Sequence, residues 1–73
     1  MASKNNLKVG DTFIYNNGTR HSIDIVLSIN NEKGIITFYY FENNSRYSNT
    51  IFEEKIDIYQ NWLNTFKNKL TKC

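Results

Sequence analysis

Three groups of residues in this 73-residue chain bring reactive side chains close together. Arg20-His21-Ser22-Ile23-Asp24 holds the single histidine, a hydroxyl and a carboxylate within five positions. A histidine and an aspartate could share a metal ion or relay a proton, but this segment alternates like a strand, so positions 21 and 24 face opposite sides. Ser22 makes no triad with them, because a nucleophile needs its base within hydrogen-bond reach and an oxyanion site beside it. Glu53 and Glu54 would suit acid and base work if they converged. On a helix, adjacent residues diverge by about 100°, and the pair reads instead as first-turn partners of the helix dipole. The third group is Tyr39, Phe41, Arg46 and Tyr47, with Arg20 and Lys33 in the turns. Aromatic rings beside cations can stack on bases or anchor a protein partner, and these six are the expected binding residues.

No enzyme is expected, and no cofactor or metal. Cys73 is the only cysteine and stands at the last position, which rules out an internal disulfide or a cysteine cluster. The three glycines are isolated, so none belongs to a phosphate-cradling loop. A net charge of +2 is far weaker than the basic footprint of a protein that lives on phosphate backbones. Much of that charge has a structural reading. Glu53, Glu54 and Asp57 open the last segment and Lys67, Lys69 and Lys72 close it, an order that complements a helix dipole. The residues before it are almost neutral.

No run approaches the roughly 18 apolar residues of a membrane span, and positions 1–6 lack a signal-peptide stretch. A cytoplasmic protein without a membrane partner is expected. Asn17-Gly18-Thr19 and Asn43-Asn44-Ser45 fit the glycosylation pattern only as turn residues. A composition rich in Asn, Ile and Lys, with no proline, has the codon bias of an AT-rich genome, as in low-GC bacteria and their phages.

One domain is expected over 1–73, with a thin core: a chain this short hides only about 60% of the surface it exposes when unfolded. Residues 1–7 read as a flexible leader. Lys8-Val9-Gly10-Asp11 turns into Thr12-Phe13-Ile14-Tyr15-Asn16, and Asn17-Gly18 signals a tight type I′ hairpin. In the next strand Ile23, Ile25, Leu27 and Ile29 are expected on the buried side. Ser22, Asp24 and Ser28 then take the solvent side, where only Val26 breaks the row. Asn30-Asn31-Glu32-Lys33-Gly34 turns into the aromatic strand Ile35–Phe41, and Asn43-Asn44-Ser45 into Arg46-Tyr47-Ser48-Asn49-Thr50. This makes a meander over 8–50.

The period then changes. Phe52, Ile56, Tyr59, Leu63, Phe66 and Leu70, with Trp62 beside them, form one helical stripe, and a helix over 51–70 with a frayed tail at 71–73 is expected. Thr50-Ile51-Phe52-Glu53 fits a capping box at its start. A rival start at Asp57 would let Phe52 to Ile56 extend the fourth strand.

In the aromatic strand Ile36, Phe38 and Tyr40 make the core face, and Ile35, Tyr39 and Phe41 the outer one. The helix stripe needs an apolar partner, so the helix is expected to cover most of that outer face and leave a patch at the strand ends. Lys33 to Tyr40 fails as an RNA-recognition signature, because Ile35 and Thr37 stand where aromatics are required.

Val9-Gly10-Asp11 followed by Phe13, the short hairpins and the closing Trp62-Leu63 resemble small SH3-like barrel domains of phage and mobile-element accessory proteins. The resemblance implies an α+β fold: a four- or five-stranded antiparallel meander or small SH3-like barrel with a C-terminal helix packed on it. A fifth strand would come from Leu7 to Val9 or from Phe52 to Ile58. Such folds serve many binding functions, so the resemblance supplies no partner. The leading expectation is a non-enzymatic protein-binding module of a phage or mobile element that inhibits or modulates a host protein, such as a defence nuclease. The alternative is a small barrel that binds single-stranded nucleic acid. A homodimer is a further expectation, with Ile58 standing off the helix stripe.

Overall fold

The computed structural model describes residues 7–43, 46 and 48–73. They form a small α+β fold: one five-stranded antiparallel sheet with a single helix on one face. The strands are β1 (Thr12–Asn16), β2 (His21–Asn30), β3 (Ile35–Glu42), β4 (Thr50–Lys55) and β5 (Leu70–Lys72), and the helix α1 spans Ile56–Thr65. The sheet order is β4-β3-β2-β1-β5, so β4 and β5 are free edges and the sheet is open.

The first hairpin differs from the expected tight turn. Asn16 pairs with His21, leaving a four-residue loop, and only Gly18 of the Asn-Gly pair has positive φ, at 98°. The Asn17 side-chain oxygen accepts from the amides of Thr19 and Arg20, and the Asn16 side-chain oxygen accepts from Gly18. Asparagine therefore builds this turn through its side chain.

The helix is shorter than its stripe. Residues 50–55 pair with β3 over Tyr40↔Thr50 to Ile35↔Lys55, so the capping box does not form and the rival start lies close to the observed one. Lys55 supplies no side-chain cap, and the Ile56 amide donates to the carbonyl of Gly34 at 2.9 Å. Asp57 is the acidic residue of the first turn, and Lys67 and Lys69 fall in a 3-10 turn beyond the helix end. The fifth strand also comes from neither expected segment. Residues 70–72, extending into the expected frayed tail, pair with β1, and the Cys73 amide donates to Thr12 at 2.9 Å.

The two sheet faces also differ from the expectation. The core cluster is Phe13, Val26, Ile36, Ile56 and Tyr59, with Leu7, Ile29, Phe38, Trp62, Leu63 and Leu70 packed against it. Helix α1 therefore lies over the face that carries Ile36, Phe38 and Tyr40, and among the described residues no helix covers the Tyr39 and Phe41 face. In β2 the row expected in solvent is the buried one. Ser22 and Asp24 are each 3% exposed and Val26 1%, whereas Ile23 and Ile25 are half-buried on the far side. A bulge between Val26 and Ser28 then shifts the register, which turns Ile29 onto the core side opposite Ile36.

Candidate functional site

Two surfaces carry functional potential, one on each face of the sheet. The bare face is built by the strand registers. Ile51, Tyr39 and Ile25 are directly opposite one another across β4, β3 and β2. Beside them Phe41, Ile23 and Ile14 line up across β3, β2 and β1. Successive side chains of a strand alternate between faces, so these six share the side away from α1. Phe41 is 42% exposed and Ile51 62%, and the other four are half-buried. The Tyr39 hydroxyl donates to the Asn49 side-chain oxygen, which ties the ring to the turn before β4.

The six sequence-identified binding residues separate. Tyr39 and Phe41 sit together on the bare face. Arg20 turns toward the helix side, where its Nε lies 2.9 Å from Glu42 Oε2. Lys33 occupies the turn between β2 and β3, at the opposite end of a ten-residue strand and so roughly 30 Å from Arg20. Arg46 is exposed in the turn before β4, and Tyr47 lies outside the described residues.

On the helix side, a cleft of about 560 Å³ opens between α1 and strands β2, β3 and β4. Its walls are aromatic: Tyr15, Phe38, Tyr40, Phe52, Trp62 and Phe66 all contribute. The rings pack in a chain, with Tyr59 on Trp62, Trp62 on Phe66 and Phe66 edge-on to Tyr15. Polar groups line the floor. Tyr59 donates its hydroxyl to Asp24 Oδ2 at 2.8 Å. Ser22 hydrogen-bonds Tyr40, whose own hydroxyl donates to Glu42 Oε1.

Asp24 Oδ1 is buried and has no hydrogen-bond partner among the described residues. Burial pushes this carboxyl up to about 6, and the Tyr59 hydrogen bond offsets part of the rise. Burial, with the hydrogen bond and charge of Glu42, pushes the Tyr40 phenol up to about 12. Tyr59 is raised as well, first by burial and then by the charge on Asp24. At neutral pH Asp24 is thus largely ionised, and both phenols keep their protons.

The cleft is not visible in the sequence, because the alternation of β2 implies that Asp24 and Ser22 face solvent. One usable signal was present: Val26 in the polar row, which marks that row as facing a core. His21 is exposed and, as the neighbour of Ser22 on β2, falls on the other side of the sheet, and the described residues contain no group of three or more His, Cys, Asp or Glu side chains placed to hold a metal. Among the described residues, no helix is long and apolar enough to cross a membrane. Comparison of the chain with protein-family models, with curated proteins and with solved structures finds no match.

Proposed function

We propose that this chain is a non-enzymatic protein-binding module that docks an apolar surface of its partner on the bare sheet face. The observation that carries this reading is the cross-strand block Ile14, Ile23, Ile25, Tyr39, Phe41 and Ile51 on the side away from α1. A sheet normally buries one face on its own core. A second apolar face gains free energy only when another molecule covers it, at roughly 25 cal/mol for each Å² removed from water. Aromatic residues in such a block are the usual anchors of interfaces. Few charges interrupt it: Glu53 and Lys55 stand beyond Ile51 on the same side of β4. That balance favours a protein partner over a phosphate backbone, which calls for clustered cations.

In the same proposal the partner is a host protein and the chain an accessory factor of a phage or mobile element, an inhibitor of a defence nuclease being one member of that class. The proline-free composition rich in Asn, Ile and Lys supports the source, and the lead-in Val9-Gly10-Asp11 and Phe13 supports kinship with SH3-like domains.

The test is affinity capture from a low-GC bacterial lysate, with the double variant Phe41→Ser/Ile51→Ser beside the original protein. Both positions are exposed, so the variant should keep its melting temperature and lose a captured protein. Recovery of the same proteins by both would refute the docking face. Sedimentation at high micromolar concentration separates a host partner from a second copy of the chain.

A further inference from the structure

We propose that the cleft beneath α1 binds an organic cation bearing N–H donors, an ammonium or guanidinium group, with the Asp24 carboxylate as its counter-ion and the ring faces of the cleft as its walls. This site is on the opposite side of the sheet from the docking face and stands independently of it.

The sign of the ligand follows from the charges that line the cleft. Among the described residues that line it, Asp24, Glu42 and Glu54 are acidic and Arg20 is the single cation. The Arg20 Nε is already held by Glu42, so an anion meets carboxylates with little to offset them. The choice among the carboxylates follows from their partners. Glu42 uses one oxygen on Tyr40 and the other on Arg20, and Glu54 accepts from the amide of Lys55. Asp24 uses Oδ2 on Tyr59 and, among the described residues, Oδ1 is buried without a donor. A buried acceptor without a donor is costly, and a charged one more so; an N–H⁺ group supplies both a proton to share and the opposite charge. The raised affinity of Asp24 for protons fits the same account, since the positive charge of a bound cation offsets the cost of the desolvation that raises it.

The walls and size narrow the class. Trp62, Phe66, Tyr40 and Phe52 present aromatic surface to the same space, and ring faces attract organic cations. A cleft of about 560 Å³ suits a small organic molecule or one long side chain better than a bare metal ion. Two sources share this chemistry: a free amine or guanidine, and an arginine or lysine side chain of a bound polypeptide.

The test is a titration followed by the amide resonances of ¹⁵N-labelled protein, using benzylammonium, the neutral benzyl alcohol, methylguanidinium and a capped Gly-Arg-Gly peptide. Saturable shifts centred on Ser22, Asp24, Tyr59 and Trp62 are expected with the cations. Benzyl alcohol should bind at least tenfold more weakly. The isosteric Asp24→Asn, which keeps an acceptor for Tyr59, should weaken the cations at least tenfold, and Glu53→Gln on the other face should leave them unchanged. Tighter binding of the peptide than of methylguanidinium assigns the cleft to a polypeptide side chain, and the reverse assigns it to a free cation. Equal affinity for benzylammonium and benzyl alcohol, or no loss in Asp24→Asn, overturns the proposal. So does the absence of saturable shifts with every probe while Asp24→Asn remains folded.

Discussion

The Tyr59 hydroxyl reaches from helix α1 to Asp24 Oδ2 at 2.8 Å, and this single bond joins the helix to the middle strand of the sheet inside the core. Because Asp24 is raised from 3.8 to about 6, the native state holds its proton more tightly than the unfolded chain does. The associated stability is present below pH 4 and is lost as pH rises through 6, a change on the order of 3 kcal/mol. Asp24→Asn, which cannot ionise, should therefore gain on the original protein as pH rises. Urea denaturation at pH 4 and pH 7.5 measures the difference, and an equal gap at both values would contradict the buried charge.

Removing the donor tests the same pair from the helix side. Tyr59→Phe keeps the ring against Phe13, Phe38 and Trp62 but leaves the carboxylate without its hydroxyl. It should cost about 1–3 kcal/mol at pH 7.5. In the Asp24→Asn background the cost should shrink, because a neutral acceptor is cheaper to leave unpaired. A double-mutant cycle with no coupling energy would mean that the bond does not hold α1 in place.

The elements were largely legible in the sequence, and the assignment of faces was not. Hairpin signals and the change from period two to period 3.6 identify four strands and a helical segment. The first three strands agree with the fold, the fourth, expected over 46–50, lies at Thr50–Lys55, and Ile36, Phe38 and Tyr40 fall on the core side as their strand alone implies. The stripe Phe52, Ile56, Tyr59, Leu63, Phe66 and Leu70 has the period of one long helix. In the fold its two ends belong to strands, with Phe52 in β4 and Leu70 in β5, and its middle lies on or just beyond α1. Each of these segments faces the same space beneath the sheet, so a periodic pattern does not distinguish them. The β2 assignment failed for a different reason. Isoleucine at alternate positions is ordinarily the buried set, yet here hydroxyl partners from Tyr59 and Tyr40 allow Asp24 and Ser22 to take the inner side. That exchange left the cleft unseen and the isoleucines on the bare face.

The two faces should respond oppositely to truncation. Ile36 is fully buried beneath α1, so Ile36→Ala should cost about 2–5 kcal/mol, a value set by the cavity it leaves. Ile51 is 62% exposed, and Ile51→Ser should change stability by no more than about 0.5 kcal/mol. It should also reduce the fluorescence of a dye that reports exposed apolar surface. Comparable destabilisation by both would place Ile51 inside a core and remove the bare face.

The short strand β5 is the remaining test of the topology. It covers the outer edge of β1 through Phe13↔Lys72, Ile14↔Thr71 and Tyr15↔Leu70. Leu70 also packs on the core cluster, and Lys72 lies 3.5 Å from Asp11, a surface pair worth little by itself. A chain ending at Lys69 loses the edge pairing and the Leu70 contact together. That should lower stability by about 2 kcal/mol, which for a domain of this size is roughly 8–16 °C in melting temperature. Hydrogen exchange locates the effect. The amides of β1 that face β5 should exchange much faster in the truncated chain, while those between β3 and β4, at the other edge of the sheet, should follow only the global loss. Unchanged melting and unchanged β1 exchange would show that the last residues do not pair with β1, and the sheet would then have four strands.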